Sequence, residues 1–319
     1  MATIASIATT FNLPNYGGPL YRVTPTETPF LAAIGGLSEL GETADSPEFG
    51  WQTEGLRAPE QPEHLEGADA PAASSEDRQN FDNLCQIFFY TFGVTYTKQA
   101  ARGMLSGVNN SQTNPVQDEV SHQAELKLIT AARDMNYTFL RGAYQKPANA
   151  AQARKTRGLL TAITTNVADL ASAALTKVAV LDLLQSVWNT AGINQDANPT
   201  LMCGATIKRG LTKLFITDAG YQEKTRDVGG VSLTTIECDF GIVNLMLERS
   251  MPATTLGFAH LGYCRPRFLV IPDKGFLFVE PLGKKGAQDT YQLYGEAGLE
   301  YGHEAQHAKL LNCGAVAGA

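Results

Sequence analysis

The strongest periodic pattern in the chain is an apolar stripe within residues 114–146, which predicts one long helix. Apolar residues recur there every three or four positions, as one face of a helix requires. Asn114 can cap the start, Pro115 suits the first helical position, and Pro147 predicts the end. About 30 residues at about 1.5 Å each make a rod of about 45 Å, so we expect a spine against which other elements pack. The stripe consists of Val116, Val120, Ala124, Leu128, Ala131, Met135 and Phe139.

Two strand-like runs, 49–56 and 80–98, flank a segment with almost nothing to bury. That segment, 57–79, is rich in proline, alanine and acidic residues, so we predict a protruding hairpin with a long acidic tip. A two-stranded hairpin is only marginally stable in water, so this one is expected to rest on another chain. An ordinary functional or disordered loop is the alternative.

Aromatic side chains on these two runs are the candidates for contact with another chain, because aromatic anchors dominate protein interfaces. The candidates are Trp51, Phe88, Phe89 and Phe92. Packing of the three phenylalanines inside their own domain is the alternative, and the sequence alone does not decide between the two.

The first part of the chain, 1–46, has little periodicity and many turn-forming residues. It predicts an extended arm, with a short helical piece near 30–34, that orders only on a surface. A floppy terminus is the alternative.

Helix and strand patterns alternate over 176–261, which predicts an α/β lobe that begins with a helix capped by Thr176. A further helix carries Ile207 and Leu211, and a hairpin is expected around Phe240 and Gly241. Together with the long helix these patterns predict the α+β fold class. The strand patterns from the lobe onward are 199–203, 231–239, 242–248, 268–271, 276–280 and 290–294.

The composition narrows the class of protein. With 319 residues and 44% hydrophobic residues the chain can bury a substantial core, and its net charge of -7 argues against a reader of nucleic-acid sequence. No apolar run reaches the length of a membrane span, and the N-terminus has no secretory-signal pattern. The five scattered cysteines predict reduced, buried thiols in a protein made in the cytosol.

One motif points to a different class of protein. His303, Glu304 and His307 match HExxH, in which two histidines one helical turn apart bind zinc and the glutamate is the general base. A third ligand would have to follow, but beyond His307 the only ligand-capable side chain is Cys313. We therefore interpret the match as chance, predict no enzyme activity, metal or cofactor, and keep a zinc metallohydrolase as the alternative function.

A set of short segments in fixed order carries a family resemblance over nearly the whole chain. It resembles the tailed-bacteriophage major capsid proteins of the HK97-like fold, and no single segment is specific. A tail or decoration component is a further alternative, against which the long helix and the complete order of segments count. The segments are 26–30 (TETPF), the Trp51 strand, the strand 83–98, the long helix, 157–160 (RGLL), 239–241 (DFG), 248–252 (ERSMP), 291–293 (YQL) and 303–307 (HEAQH).

The resemblance implies a division of the chain. An N-terminal arm would span 1–46 and an extended loop (the E-loop hairpin) 47–97. A peripheral domain would combine 98–175 and 262–319 around the spine helix 114–146. An axial domain would span 176–261 and converge at the centres of hexamers and pentamers.

The resemblance also implies a function, which is a head protein that self-assembles into an icosahedral shell around the phage genome. The expected partners are other copies of the chain, a portal at one vertex and double-stranded DNA bound non-specifically on the inner face. A scaffold or decoration protein is left open, and no membrane partner is expected. The expected location is the virion, after synthesis in the cytoplasm of the bacterial host.

Overall fold

A computed structural model describes residues 22–37, 42–67, 69–72, 74–100, 118–217, 234–284 and 286–316. The mixture of helices and sheets confirms the predicted α+β class. In chain order the elements are α1 (Pro29–Ala33), β1 (Glu42–Ala44), β2 (Glu48–Glu54), β3 (Arg78–Leu84), β4 (Gln86–Thr95), α2 (Tyr96–Ala100), α3 (Glu119–Arg141), α4 (Leu159–Ala162), β5 (Val167–Asp169), α5 (Lys177–Thr190), β6 (Pro199–Cys203), α6 (Ala205–Thr212), β7 (Thr235–Cys238), β8 (Gly241–Leu247), β9 (Leu256–His260), β10 (Arg265–Leu269), β11 (Leu277–Pro281), β12 (Gln288–Glu300) and β13 (Ala308–Leu311).

The first sheet has five strands with β12 at its centre. β4 pairs antiparallel with β12 over its full length, β10 and β11 pair along the other edge of β12, and β1 pairs parallel with β10. Along β4, Phe88, Phe92 and Val94 are buried while Ile87 and Phe89 are exposed. This alternation is what a sheet with one covered face requires.

The long helix α3 packs on the covered face and shares one core with β4 and β12. Its 23 residues make a rod of about 35 Å, so the predicted spine exists but is shorter than 114–146. Asp118 caps the start and accepts a hydrogen bond from the Val120 amide at 3.0 Å. The predicted cap, Asn114, lies outside the described residues.

The predicted end of the spine near Lys146 is wrong, because α3 ends at Arg141. The chain returns close to the helix end at Gly158, whose amide donates to the Gly142 carbonyl at 2.9 Å. A Cβ on Gly142 would lie 2.7 Å from the Thr156 carbonyl oxygen. The returning backbone occupies the space that a further helical turn would need.

The predicted strand 80–98 is two strands and a short helix rather than one element. β3 pairs with β2 as a separate hairpin, β4 belongs to the first sheet, and residues beyond Thr95 form α2. The change of partner occurs at the buried Cys85, whose amide donates to the Pro47 carbonyl at 2.8 Å. Alternating apolar residues indicate strand conformation but not which strand is the partner.

The second sheet has six strands in the order β5-β13-β9-β6-β8-β7. Together with α5 and α6 it encloses a second core, and β6 has the predicted bounds. β7 and β8 form the predicted hairpin around Phe240, with the first described strand residue at Thr235; residues 231–233 lie outside the described part. The buried core residues include Leu183, Leu184, Val187, Leu201, Leu211, Phe258 and Leu310.

This sheet also takes two strands from outside 176–261. β13 comes from the C-terminal stretch that the sequence assigned to the other domain, and it pairs with β9 and β5. Its Ala308 and Leu310 are buried in the second core. A four-residue strand is too short for its periodicity to show which sheet will take it.

The remaining C-terminal strands lie where the sequence placed them. β10 and β11 match the predictions within a few residues, and β12 is longer at both ends than 290–294. The short helix predicted near 30–34 is α1. In the described part of the chain, no helix has the length and apolar character that would let it cross a membrane.

Candidate functional site

The β2–β3 hairpin is the most exposed feature among the described residues. Every described residue from 54 to 80 is exposed, and we call this segment the tip. Leu56 is 88% and Leu65 is 83% exposed, so the tip presents apolar side chains that its own chain does not cover. Two exposed ion pairs, Arg57–Glu60 at 2.7 Å and Arg78–Glu54 at 3.7 Å, contribute little stability.

The other end of the hairpin is fixed to the body, and we call this end the root (Trp51, Phe81, Asn83 and Leu84). The Trp51 indole Nε1 donates to the Gly302 carbonyl at 2.7 Å, and the Trp51 ring lies edge-on to Tyr301 with centroids 5.0 Å apart. Phe81 continues the aromatic contact to His303 at 5.2 Å. A groove of about 690 Å³ beside the root is lined by residues that include Gln52, Glu54, Tyr263, Arg265, Glu300 and His303.

Asn83 is the buried polar centre of the root. Its amide nitrogen donates to the carbonyls of Leu299 at 2.6 Å and Arg157 at 3.1 Å, and its amide oxygen accepts from the Arg157 backbone at 2.8 Å. The side chain is fully buried, so these bonds replace water for three backbone groups. Sequence reasoning missed this residue, because a single asparagine in a strand pattern gives no signal of burial.

The four aromatic candidates do not lie together. Phe88 and Phe92 are buried in this chain, where Phe92 stacks on Tyr291 at 5.4 Å, so the alternative of packing within their own domain accounts for both. Phe89 is 52% exposed on the open face of the first sheet, and Trp51 is half-buried in the root. Contact of these residues with another chain stays a prediction.

The HExxH side chains make hydrogen bonds to the backbone and to neighbouring side chains. Glu304 accepts hydrogen bonds from the backbone amides of Thr164 at 2.7 Å and Thr165 at 2.9 Å, and also from the Thr165 hydroxyl. His303 Nδ1 accepts from the Ala305 amide at 3.1 Å. Burial alone would raise the pKa of Glu304, but the hydrogen bonds from Thr165 and Thr164 outweigh it and lower the pKa.

His307 has the spacing of the second HExxH ligand, but the fold does not place it beside His303 on one helical face. It is fully buried, and its Nε2 donates to the Tyr301 carbonyl at 2.7 Å. Residues 304–306 form only a single 3-10 turn, so the two histidines do not share a helical face. The described residues contain no group of three or more His, Cys, Asp or Glu side chains able to hold a metal ion, and this geometry gives no support to the metallohydrolase alternative.

His307 and His260 form a buried pair behind the root, with ring centroids 6.5 Å apart. His260 Nε2 accepts from the Asn194 amide at 3.1 Å, which leaves Nδ1 to donate to the Gln306 carbonyl at 2.7 Å. Burial lowers the pKa of His260 and lowers the pKa of His307 to about 4. Both rings are therefore neutral at neutral pH.

Comparison with known proteins gives a consistent assignment. The family model described as SU10 major capsid protein matches residues 3–314. No curated protein matches the sequence.

Several solved structures share the fold over nearly the whole chain. The capsid of cyanophage A-1(L) has a TM-score of 0.68 at 12% identity, with 97% of this chain and 99% of that chain covered. The capsid of a native GTA particle has a TM-score of 0.63 at 12% identity, with 98% of this chain and 99% of that chain covered. The SrpI encapsulin of Synechococcus elongatus PCC 7942 has a TM-score of 0.58 at 14% identity, with 98% of this chain and 96% of that chain covered. At such identities the likeness shows a common fold, which is the HK97-like fold that the resemblance implied.

Proposed function

The chain belongs to the SU10 major capsid protein family, and we propose that its copies form, as hexamers and pentamers, the icosahedral head of a tailed bacteriophage around the genomic DNA. Family membership makes it a shell-forming protein of the virion that associates with itself. The number of copies in each ring and the symmetry of the shell are the parts that we propose.

The observation that carries this proposal is the contrast between a fixed root and an uncovered tip. A hairpin whose described tip residues are all exposed has no core of its own, yet its strands stay paired from Glu48 opposite Leu84 to Glu54 opposite Arg78. In a shell, a neighbouring copy supplies the missing surface, and repeated head-to-tail contacts of this kind close into rings. The hairpin, Glu48–Leu84, is therefore proposed to be the extended loop. It is shorter than the predicted 47–97, because β4 belongs to the first sheet.

We propose the remaining division with two changes. The arm is the chain before α1 rather than 1–46, because α1 packs in the first core and β1 pairs with β10 in the first sheet. The peripheral domain is built around α3 and the first sheet. The axial domain is the lobe 176–261 together with β5 and β13, because these two strands complete its six-stranded sheet. Among the aromatic candidates, Phe89 and Trp51 are proposed to contact a neighbouring copy, since Phe88 and Phe92 already have partners in their own core.

The remaining partners are proposed from the family. They are a portal at one vertex, packaged double-stranded DNA held without sequence preference, and a scaffold or decoration protein as the open case. The chain is proposed to have no enzyme activity and to be made in the cytoplasm of a bacterial host.

Assembly of the purified chain tests the central proposal. The full-length chain should sediment as rings and closed shells and show shells in electron micrographs. A variant in which a two-residue Asn-Gly turn replaces 57–75, which keeps the strand register, should unfold with a free energy within about 1 kcal/mol of the parent, because shortening a loop changes closure entropy only slightly. Its yield of closed shells should fall at least tenfold, by our estimate of roughly 1.4 kcal/mol lost at each contact.

Two results would overturn the proposal. One is a parent chain that remains a compact monomer under every assembly condition. The other is a shortened variant that closes shells as well as the parent does.

A further inference from the structure

Two of the short segments that carry the family resemblance meet in one buried polar cluster. The Phe30 amide donates to a Glu248 carboxylate oxygen at 3.0 Å, and the Leu31 amide donates to the Asn136 side-chain oxygen at 2.8 Å. The Asn136 side-chain nitrogen donates to the second Glu248 oxygen at 3.0 Å and to the Ser250 hydroxyl at 3.2 Å. We call these five residues the clasp. It joins α1, the C-terminal third of α3 and the turn after β8.

The clasp satisfies backbone groups that α1 leaves unpaired. The first amides of a helix have no partner inside it, and the side chain of Thr28 at the cap position makes no capping hydrogen bond to them. Glu248 and Asn136 supply the missing acceptors from elements more than a hundred residues away in the chain. Glu248 is fully buried, and three N–H donors stabilise its carboxylate: those of Phe30, Asn136 and Ser250.

The chain before the clasp is exposed and makes only surface contacts among those described. Each residue from 22 to 27 is exposed, and Val23 is 95% exposed. The described contacts of this segment are surface ion pairs, Arg22–Glu125 at 3.3 Å and Glu27–Arg249 at 3.5 Å. Phe30 and Leu31 are thus the first described residues that the body buries, and the chain leaves the body there.

We propose that Glu248 and Asn136 are positioning residues for the N-terminal arm, which they hold at one exit point and in one direction so that each copy can lend it to a neighbour. This inference rests on the proposed function. A flexible exit would let the arm sample many directions, and a contact that must form at every copy would then carry an ordering cost at every copy. A buried set of hydrogen bonds from three separate elements removes that freedom before assembly begins.

The first test measures release of α1 in the full chain. Chymotrypsin can cut after Phe30 only when α1 leaves the body, whereas it can cut after the exposed Leu56 at any time. In Glu248→Gln the new side-chain NH2 group faces an N–H donor from which the carboxylate had accepted a hydrogen bond. The rate of cleavage after Phe30, relative to the rate after Leu56, should therefore rise about tenfold or more. Glu237→Gln, an exposed substitution of the same kind on β7, should leave this ratio unchanged.

The second test separates positioning from stability. Shell yield is compared among Glu248→Gln, a chain lacking residues 1–21, and the combination of both. If the clasp acts through the arm, each change lowers the yield about tenfold or more and the combination is no worse than the truncation alone. Additive losses would show a purely structural role and overturn the inference, as would a Glu248→Gln chain that assembles like Glu237→Gln.

The outcomes distinguish this inference from the function on which it rests. A parent chain that forms no shells contradicts the proposed function, whereas a truncated chain that assembles normally contradicts only the role of the arm. If Glu248→Gln does not fold, hydrogen exchange of the parent decides the matter. The amides of Phe30 and Leu31 should then be protected as well as those in the middle of α3, and exchange as fast as that of Val23 would overturn the clasp.

Discussion

The root and the tip of the same hairpin differ in burial and in hydrogen bonding to the body. At the root Asn83 and Leu84 are buried in succession, followed by the buried Cys85, and both side-chain polar atoms of Asn83 have partners in the body. At the tip, all described residues from 54 to 80 are exposed, including two leucines. Ordering a residue costs about 1–2 kcal/mol of backbone entropy, which the root offsets within its own chain and the tip does not. One strand pair therefore serves two purposes, with stability at one end and, as proposed, association at the other.

The largest expected effect is at the buried centre of the root. Asn83→Ala leaves the buried Leu299 carbonyl and the part-buried Arg157 amide without this partner, so it should lower the free energy of unfolding by about 4 kcal/mol. Denaturant unfolding of the unassembled chain measures this. Asn80→Ala, the same substitution at an exposed position on the same strand, should change it by less than about 0.5 kcal/mol. Equal effects at the two positions would contradict the contrast between root and tip.

Acid should weaken the root next. The pKa of His307 is about 4 in the folded chain, below its ordinary value of 6.5, because the ring is buried. The unfolded chain therefore binds the proton first as the pH falls, and stability present above pH 6.5 is lost progressively down to about pH 4, by about 3 kcal/mol. His307 donates to the Tyr301 carbonyl, and the next residue, Gly302, accepts the hydrogen bond from Trp51. Protonation of His307 in the folded chain is therefore expected to weaken the contacts of the root.

Unfolding measured between pH 7 and pH 4.5 tests this slope. His307→Gln keeps a donor for Tyr301 but cannot titrate, so its stability should depend less on pH over this range. Asn80→Ala, an exposed substitution in the same hairpin that removes no titratable group, should have the slope of the parent. An unchanged slope in His307→Gln would show that another group is responsible.

A smaller effect is expected at the aromatic edge of the root. Trp51→Phe keeps a ring beside Tyr301 but removes the indole N–H that donates to Gly302, so stability should fall by about 1 kcal/mol. Thermal unfolding at constant pH measures the change. If Trp51 also contacts a neighbouring copy, shell yield should fall further than this loss of stability explains.

The smallest effect on stability, and a large one on assembly, is expected at the tip. Leu56→Ser with Leu65→Ser should change the free energy of unfolding by no more than about 0.5 kcal/mol, since both side chains are exposed. The same double variant should lower the shell yield, as measured by sedimentation. Val270→Ser, at an apolar residue that is also exposed, is the matched control. Normal shell formation by the double variant would show that the tip leucines do not contact a neighbour.

Local patterns predicted the elements whose burial follows from their own sequence. Three predictions are confirmed because each repeats or groups its apolar residues on the scale of one element: the later part of the α3 stripe (Ala131, Met135 and Phe139), the continuous burial of β6 and the short helix after Thr28. Leu128, which belongs to the same predicted stripe, is 38% exposed. The same patterns failed at element ends and partners. The end of α3 depends on a glycine more than a dozen residues later, and the break at Cys85 depends on which strand lies alongside.

The candidate site was predictable in outline only. The hairpin and its acidic tip follow from composition, whereas Asn83, Asn136 and Glu248 acquire their roles from backbone groups that are distant in sequence. The HExxH residues show the converse, because their spacing suggests a ligand set that the fold separates.

Periodicity and composition predicted the α+β class, the spine helix and the uncovered hairpin, and the order of the short segments carried the family resemblance. The partner of each strand, the sheet that takes β13 and the buried hydrogen bonds of the root and the clasp follow from the folded chain alone. The two kinds of feature differ because hydrophobic periodicity is a property of neighbouring residues. A buried polar group is stable only when a specific partner reaches it, and that partner is set by the path of the whole chain.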